Sequence, residues 1–114
     1  MSEEVKAFYE GFKKSVGHMQ KEIPGTLSGF MGLFKNVMAA GALTAAEKEA
    51  VALGIAVAAR CKECIRLHVQ KCVEAGLTRQ QVLEAASVAV MMGGGPAYTH
   101  IPAVMDALDA VGAK

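Results

Sequence analysis

Cys61, Cys64, His68 and Cys72 fall on one stripe if the chain around them is helical. Thiols can serve as metal ligands, as inert core groups or as redox centres, and imidazole as a ligand or a base. The metal reading fails largely on distance. Cys61 and Cys72 are eleven residues apart, about 16 Å along a helix axis, whereas a zinc–sulfur bond is about 2.3 Å. Cys61, Cys64 and His68 would need a fourth ligand from His18, His100 or another subunit, and structural sites normally draw on two separate pieces of chain. No metal and no other cofactor is expected. The inert reading suits Cys72, since buried free cysteine is common. It suits the CxxC pair less, because Lys62, Glu63 and Arg66 around it call for at least partial exposure.

The redox reading uses all of the first three residues. Positions i and i+3 in the first turn of a helix face each other closely enough for a disulfide after small adjustment. A thiolate there gains from the unpaired N–H groups and the positive end of the helix. His68 is four residues past Cys64 and seven past Cys61, so the adjacent turn puts its imidazole beside Cys64. Local geometry thus nominates Cys64 as the activated sulfur, with Cys61 as its disulfide partner and His68 as the group exchanging a proton with it.

These residues need helices to hold them, and the sequence reads as helix from end to end, in about six pieces. A first helix runs from about Glu3 to His18, with Val5, Phe8, Tyr9 and Phe12 at helical spacing. Pro24 opens a second, with Leu27, Phe30, Met31 and Phe34 on its buried side, and Gly41 ends it. Thr44 and Glu47 form a capping box for a third, which is apolar all round from Ala50 to Ala59. Arg60 and Cys61 mark a break and a restart, and Cys64 to Ala75 form a fourth helix closed by Gly76. Thr78 and Gln81 cap a fifth, which the Gly93-Gly94-Gly95 run stops. Pro96 begins a last helix reaching about Val111. The triple glycine is a helix–helix turn rather than a phosphate loop, because no Lys-Ser/Thr follows and no strand precedes it.

The bulk properties place these helices in one all-α domain, residues 1–114. Hydrophobic residues make up 53% of the chain and charged residues 20%, with a mean hydropathy of +0.30. That is apolar for a water-exposed domain of this size. The longest apolar stretch, Ala50 to Ala59, is half the length a membrane span needs. No membrane partner is therefore expected, and a homo-oligomer is. Net charge is +1 with scattered basic residues, which speaks against a nucleic-acid footprint. The acidic start Met1-Ser2-Glu3-Glu4 has no apolar signal segment after it. A cytoplasmic location is expected, where a CxxC pair is metal-binding or catalytic rather than a structural staple.

The stretch Thr44 to Ala86, TAAEKEAVALGIAVAARCKECIRLHVQKCVEAGLTRQQVLEAA, resembles the alkylhydroperoxidase D-like branch of the carboxymuconolactone decarboxylase family. That branch carries a Glu, eleven residues, CxxC, three residues and His, a pattern met by Glu49, Cys61, Cys64 and His68. The resemblance implies an all-helical fold assembling as trimers or hexamers, and peroxide reduction or disulfide exchange. It implies that Cys64 is reactive, Cys61 resolves it, and Glu49 and His68 relay protons. The partners it implies are a peroxide substrate and a dithiol reductant, lipoyl group or thioredoxin-like protein. On its own, Glu49 reads as a solvated first-turn carboxylate, since Glu47 already accounts for the cap.

Two departures from the branch stand out. Some members have a histidine just before the reactive cysteine, where this chain has Glu63, a carboxylate that disfavours a neighbouring thiolate. Members also often hold two copies of the helical unit, and this chain holds about one. Two competing functions are a lyase like the family's namesake and a non-catalytic oligomeric scaffold. The lyase would recruit Arg60, Arg66 or His100 for a lactone carboxylate and leave the cysteine pair idle.

Overall fold

The computed structural model describes residues 2–114; Met1, part of the acidic start, lies outside the described residues. Its helices are α1 (Ser2–Glu22), α2 (Pro24–Met38), α3 (Ala45–Ala58), α4 (Lys62–Glu74), α5 (Arg79–Gly93), the four-residue α6 (Gly95–Tyr98) and α7 (Ile101–Ala110). Six longer helices and one short turn make an all-α architecture, as the sequence indicates.

Local chemistry sets most of the boundaries. Thr44 Oγ1 accepts the Glu47 N–H at 3.0 Å while Glu47 Oε1 accepts the Thr44 N–H at 2.8 Å. The Glu47 carboxyl is held below its ordinary pKa mainly by that backbone bond. Thr78 and Gln81 repeat the box at the start of α5. Each box satisfies first-turn N–H groups that a helix cannot pair internally. Gly76 follows α4 at φ +97, a conformation open to glycine at little cost. Ile23 alone separates α1 from Pro24 at the first position of α2, and the first helix runs four residues past His18.

Helix α3 is central, packed by α4 on one side and α5 on another, while α7 packs on α4 and α1. Leu53 and Val57 of α3 meet Ile65, Val69 and Cys72 of α4, Val82 and Ala86 of α5, and Val104 and Leu108 of α7 in the buried cluster. From α1 only Val5 is fully buried. Its Tyr9 is half-buried, with its hydroxyl donating to the Arg66 carbonyl. Arg66 in turn pairs with Glu4 at 3.0 Å and lies over the Phe8 ring.

Two expectations change. Leu27, Phe30, Met31 and Phe34 do not form a buried face, for no residue of α2 is buried within the chain. Phe30 is 59% and Met31 50% exposed, because α2 lies over the helical body rather than within it. The last helix is divided, since the chain turns at Thr99 and His100 before Ile101 and Pro102 open α7. Among the described residues no helix is long and apolar enough to cross a membrane.

Candidate active site

Helix α3 ends at Ala58, and the chain reverses through Arg60, whose φ of 59 is the one positive value on a non-glycine residue among those described. That left-handed residue aims the next one, Cys61, at the start of α4. Cys61 is the N-cap, and its Sγ accepts the Cys64 N–H at 3.2 Å. Sulfur takes the place that Ser, Thr or Asp oxygen usually fills at a helix start. Cys61 and Cys64 are joined as a disulfide, with their Cα atoms 5.2 Å apart. Both cysteines are partly accessible, and Lys62 and Glu63 between them are exposed.

One turn further along α4, His68 turns toward α3. Its Nδ1 lies 2.8 Å from Glu49 Oε1. The Glu49 side chain is 10% exposed and the His68 side chain 19%. A carboxylate in its ionised form can only accept, and against it Nδ1 would be the donor, leaving Nε2 as the other ring nitrogen. Glu49, read from its position alone as a solvated carboxylate, is in fact the one buried charged residue among those described. The reason is tertiary. The α3 face that carries Glu49 also carries Leu53, Ala56 and Val57, and α4 packs on it.

The third cysteine stands apart from the disulfide. Cys72 is fully buried, and its Sγ donates to the Glu49 backbone carbonyl at 3.3 Å. Burial, assisted by the Glu49 carboxylate, pushes its pKa up to about 12. Its thiol therefore stays protonated and ties α4 to α3 beside the Glu49–His68 pair. The described residues include no cluster of three or more His, Cys, Asp or Glu able to hold a metal ion.

One neighbour of the site has no motif. Phe34 of α2 stacks on the His68 imidazole, with ring centroids 6.2 Å apart and planes at 26°. Lys71, three residues past His68, places its Nζ 5.1 Å from the Phe34 centroid. Helical spacing marks Phe34 as one of an apolar set, but nothing in the sequence pairs position 34 with position 68.

A helix-start disulfide beside a largely buried His–Glu pair, in an all-helical body, defines a class of small helical thiol proteins. The chain belongs to the carboxymuconolactone decarboxylase family, whose profile it matches over residues 24–110. A crystal structure of a family protein from Legionella pneumophila superposes with a TM-score of 0.84 at 32% identity, covering 95% of this chain and 94% of that one. Another, from Thermotoga maritima, is a family protein for which an antioxidative role has been suggested. It superposes with a TM-score of 0.74 at 24% identity over 90% of this chain and 86% of its own, a likeness of fold alone. An uncharacterised protein of Cupriavidus necator is 28% identical over 113 residues, which is 99% of this chain and 100% of that protein. A protein encoded in the cox locus of Paracoccus denitrificans is 37% identical over 82 residues, 72% of this chain and 74% of its own.

Proposed function

We propose that this protein is a thiol-dependent antioxidant that reduces peroxides or passes on disulfides through Cys61 and Cys64, with Glu49 and His68 relaying the proton. The observation that carries the reading is the Glu49–His68 contact at 2.8 Å, one helical turn from the cysteine pair. A structural helix has no need of a nearly buried carboxylate held against an imidazole, whereas an activated thiol needs a base with an oriented proton. The antioxidative suggestion for the Thermotoga protein points the same way.

In the reduced protein, His68 Nε2 takes the Cys64 proton, and Glu49 stabilises the resulting imidazolium through Nδ1–H. The Cys64 thiolate attacks one peroxide oxygen and the O–O bond breaks. Sulfur becomes a sulfenic acid, and the departing alkoxide takes the proton from His68 to leave as an alcohol. Cys61 then attacks the Cys64 sulfur, the S–O bond breaks, and water leaves as the disulfide forms. A dithiol, small, lipoyl or on a thioredoxin-like protein, reopens it by exchange and is itself oxidised. A reducing, cytoplasmic setting supplies such reductants.

The decarboxylation in the family's name draws less support, since fold does not fix chemistry. Of the groups a lactone carboxylate would recruit, Arg66 is engaged by Glu4 and Phe8, and His100 Nδ1 lies 2.8 Å from the Pro96 carbonyl.

Assembly is part of the same proposal. The chain exposes 7073 Å², against about 6,000 Å² for a monomeric protein of its mass. The excess of roughly 1,000 Å² is of the order that one partner buries in a standard interface. Much of the apolar share lies in a groove between α3 and α5, lined by Val51, Ile55, Val88 and Met92, and on the outer side of α2. A second copy of the chain covering these faces accounts for the composition, and a trimer or hexamer accommodates both.

The test of the redox chemistry is peroxide consumption with several dithiol reductants, in the wild type and in Cys61→Ser, Cys64→Ser, His68→Ala and Glu49→Gln. Loss of turnover in the variants supports the mechanism. Undiminished turnover in all four would overturn it.

A further inference from the structure

Helix α2 poses a question that the redox chemistry leaves open. It buries no residue within the chain, yet its C-terminal half is fastened over the helical body at defined points. Lys48 Nζ donates to the Val37 and Ala39 carbonyls at 2.7 and 2.6 Å, holding the end of α2 against α3. Phe34 lies one helical turn before that anchor, and its ring rests on His68 and near Lys71. His68 and Lys71 stand at i and i+3 on α4 and so present neighbouring surfaces to one ring. Phe30, a turn earlier on α2, has its ring centroid 6.4 Å from that of Phe34, with the planes tilted at 45°.

A ring stacked on the imidazole does two things. It limits rotation of the His68 side chain, and so preserves the line from Glu49 Oε1 to Nδ1. It also covers a face of the imidazole that water would otherwise reach, and hydrogen bonds in a drier site are electrostatically stronger. The groups in contact with His68 are the Glu49 carboxylate from α3 and the Phe34 ring from α2, and Lys71 on its own helix reaches the same Phe34 ring.

We propose that Phe34 is a positioning residue for His68: carried on a strap that contributes nothing to the core, it holds the imidazole against Glu49 and screens their shared proton from solvent. The consequence for turnover rests on the redox reading above. The consequence for the shared proton does not.

Both can be measured on the intact chain. In the wild type, the His68 Nδ1–H should give a downfield proton resonance that exchanges slowly with water. Phe34→Ala should speed that exchange at least tenfold, and Phe34→Tyr, which keeps the stacked ring, should restore it. Peroxide turnover should follow, with kcat falling about tenfold in Phe34→Ala, KM nearly unchanged, and recovery in Phe34→Tyr. Far-ultraviolet circular dichroism should show the same helix content in all three. Exchange and kcat unchanged in Phe34→Ala would overturn the assignment, as would a loss that Phe34→Tyr fails to restore. Should the wild type consume no peroxide, the redox reading fails, and the exchange of the His68 proton still decides the role of Phe34.

Discussion

His68 Nδ1 and Glu49 Oε1, nineteen residues apart in the chain, stand 2.8 Å apart across the α3–α4 packing. The pair is nearly shielded from solvent on the carboxylate side, with 10% of the Glu49 side chain exposed. A His–Glu contact in such a setting orients one imidazole tautomer and offsets the charge that forms when the ring takes up a proton.

Replacing Glu49 by Gln keeps the size of the side chain and removes the charge. Peroxide turnover with a dithiol should fall by about 10²-fold, the lower end of general acid–base contributions. Helix content and the reversible disulfide should persist. Initial rates at saturating peroxide check this, and an unchanged kcat would remove Glu49 from the mechanism.

The three cysteines should separate by reactivity. With Cys72 fully buried and its pKa near 12, about one thiol in 10⁴ there is ionised at pH 8. After reduction, iodoacetamide should therefore alkylate Cys61 and Cys64 and reach Cys72 only in denaturant. Treatment with one equivalent of peroxide should remove two titratable thiols, and a dithiol should return them. Peptide mass mapping identifies the labelled sites.

Stability should decline in alkali. Burial holds Cys72 at about 12 rather than 9.0, and Tyr9 at about 12 rather than 10.0. Between those limits the unfolded chain has lost protons that the folded chain keeps, so stability falls as pH rises from about 9 toward 12. Each group contributes at most about 1.4 kcal/mol per pH unit. Urea unfolding midpoints at pH 8, 9 and 10 should fall progressively, and Cys72→Ala, though less stable at pH 8, should show a shallower decline.

Arg60 at φ 59 offers a stabilising change. A non-glycine residue in the left-handed region carries a steric cost of roughly 1–2 kcal/mol. Arg60→Gly should raise stability by about 0.5–1 kcal/mol once the greater freedom of unfolded glycine is counted. Chemical denaturation checks this, and a gain without loss of turnover would assign Arg60 no part in the chemistry.

Assembly is measurable directly. Light scattering after gel filtration should return a multiple of the 11.9 kDa chain. Ile55 and Met92 are 64% and 77% exposed on the α3–α5 groove. Placing Asp at both should dissociate the assembly with little effect on the chain's own core, and a monomeric wild type would refute the oligomer.

Capping, helix stops at glycine and the exposure of the cysteine pair depend on residues a few positions apart, and those features were legible in the sequence. The boxes at Thr44 and Thr78, the glycine cap at Gly76 and the restart at Cys61 are all local hydrogen-bond or steric problems with local answers. The placing of Cys61, Cys64 and His68 on successive turns was equally local. Glu49 was different, because a first-turn carboxylate is solvated or buried according to what packs on its helix. Only the family pattern singled it out, and only the docking of α4 on α3 brings it to His68. The exposure of α2 has the same root. Helical spacing reveals that Leu27, Phe30, Met31 and Phe34 share a side, but not whether that side meets its own core or a neighbour. Tertiary structure alone decided that the helix lies over the body with Phe34 on the His68 imidazole, since contacts across 34 residues of chain leave no periodic trace.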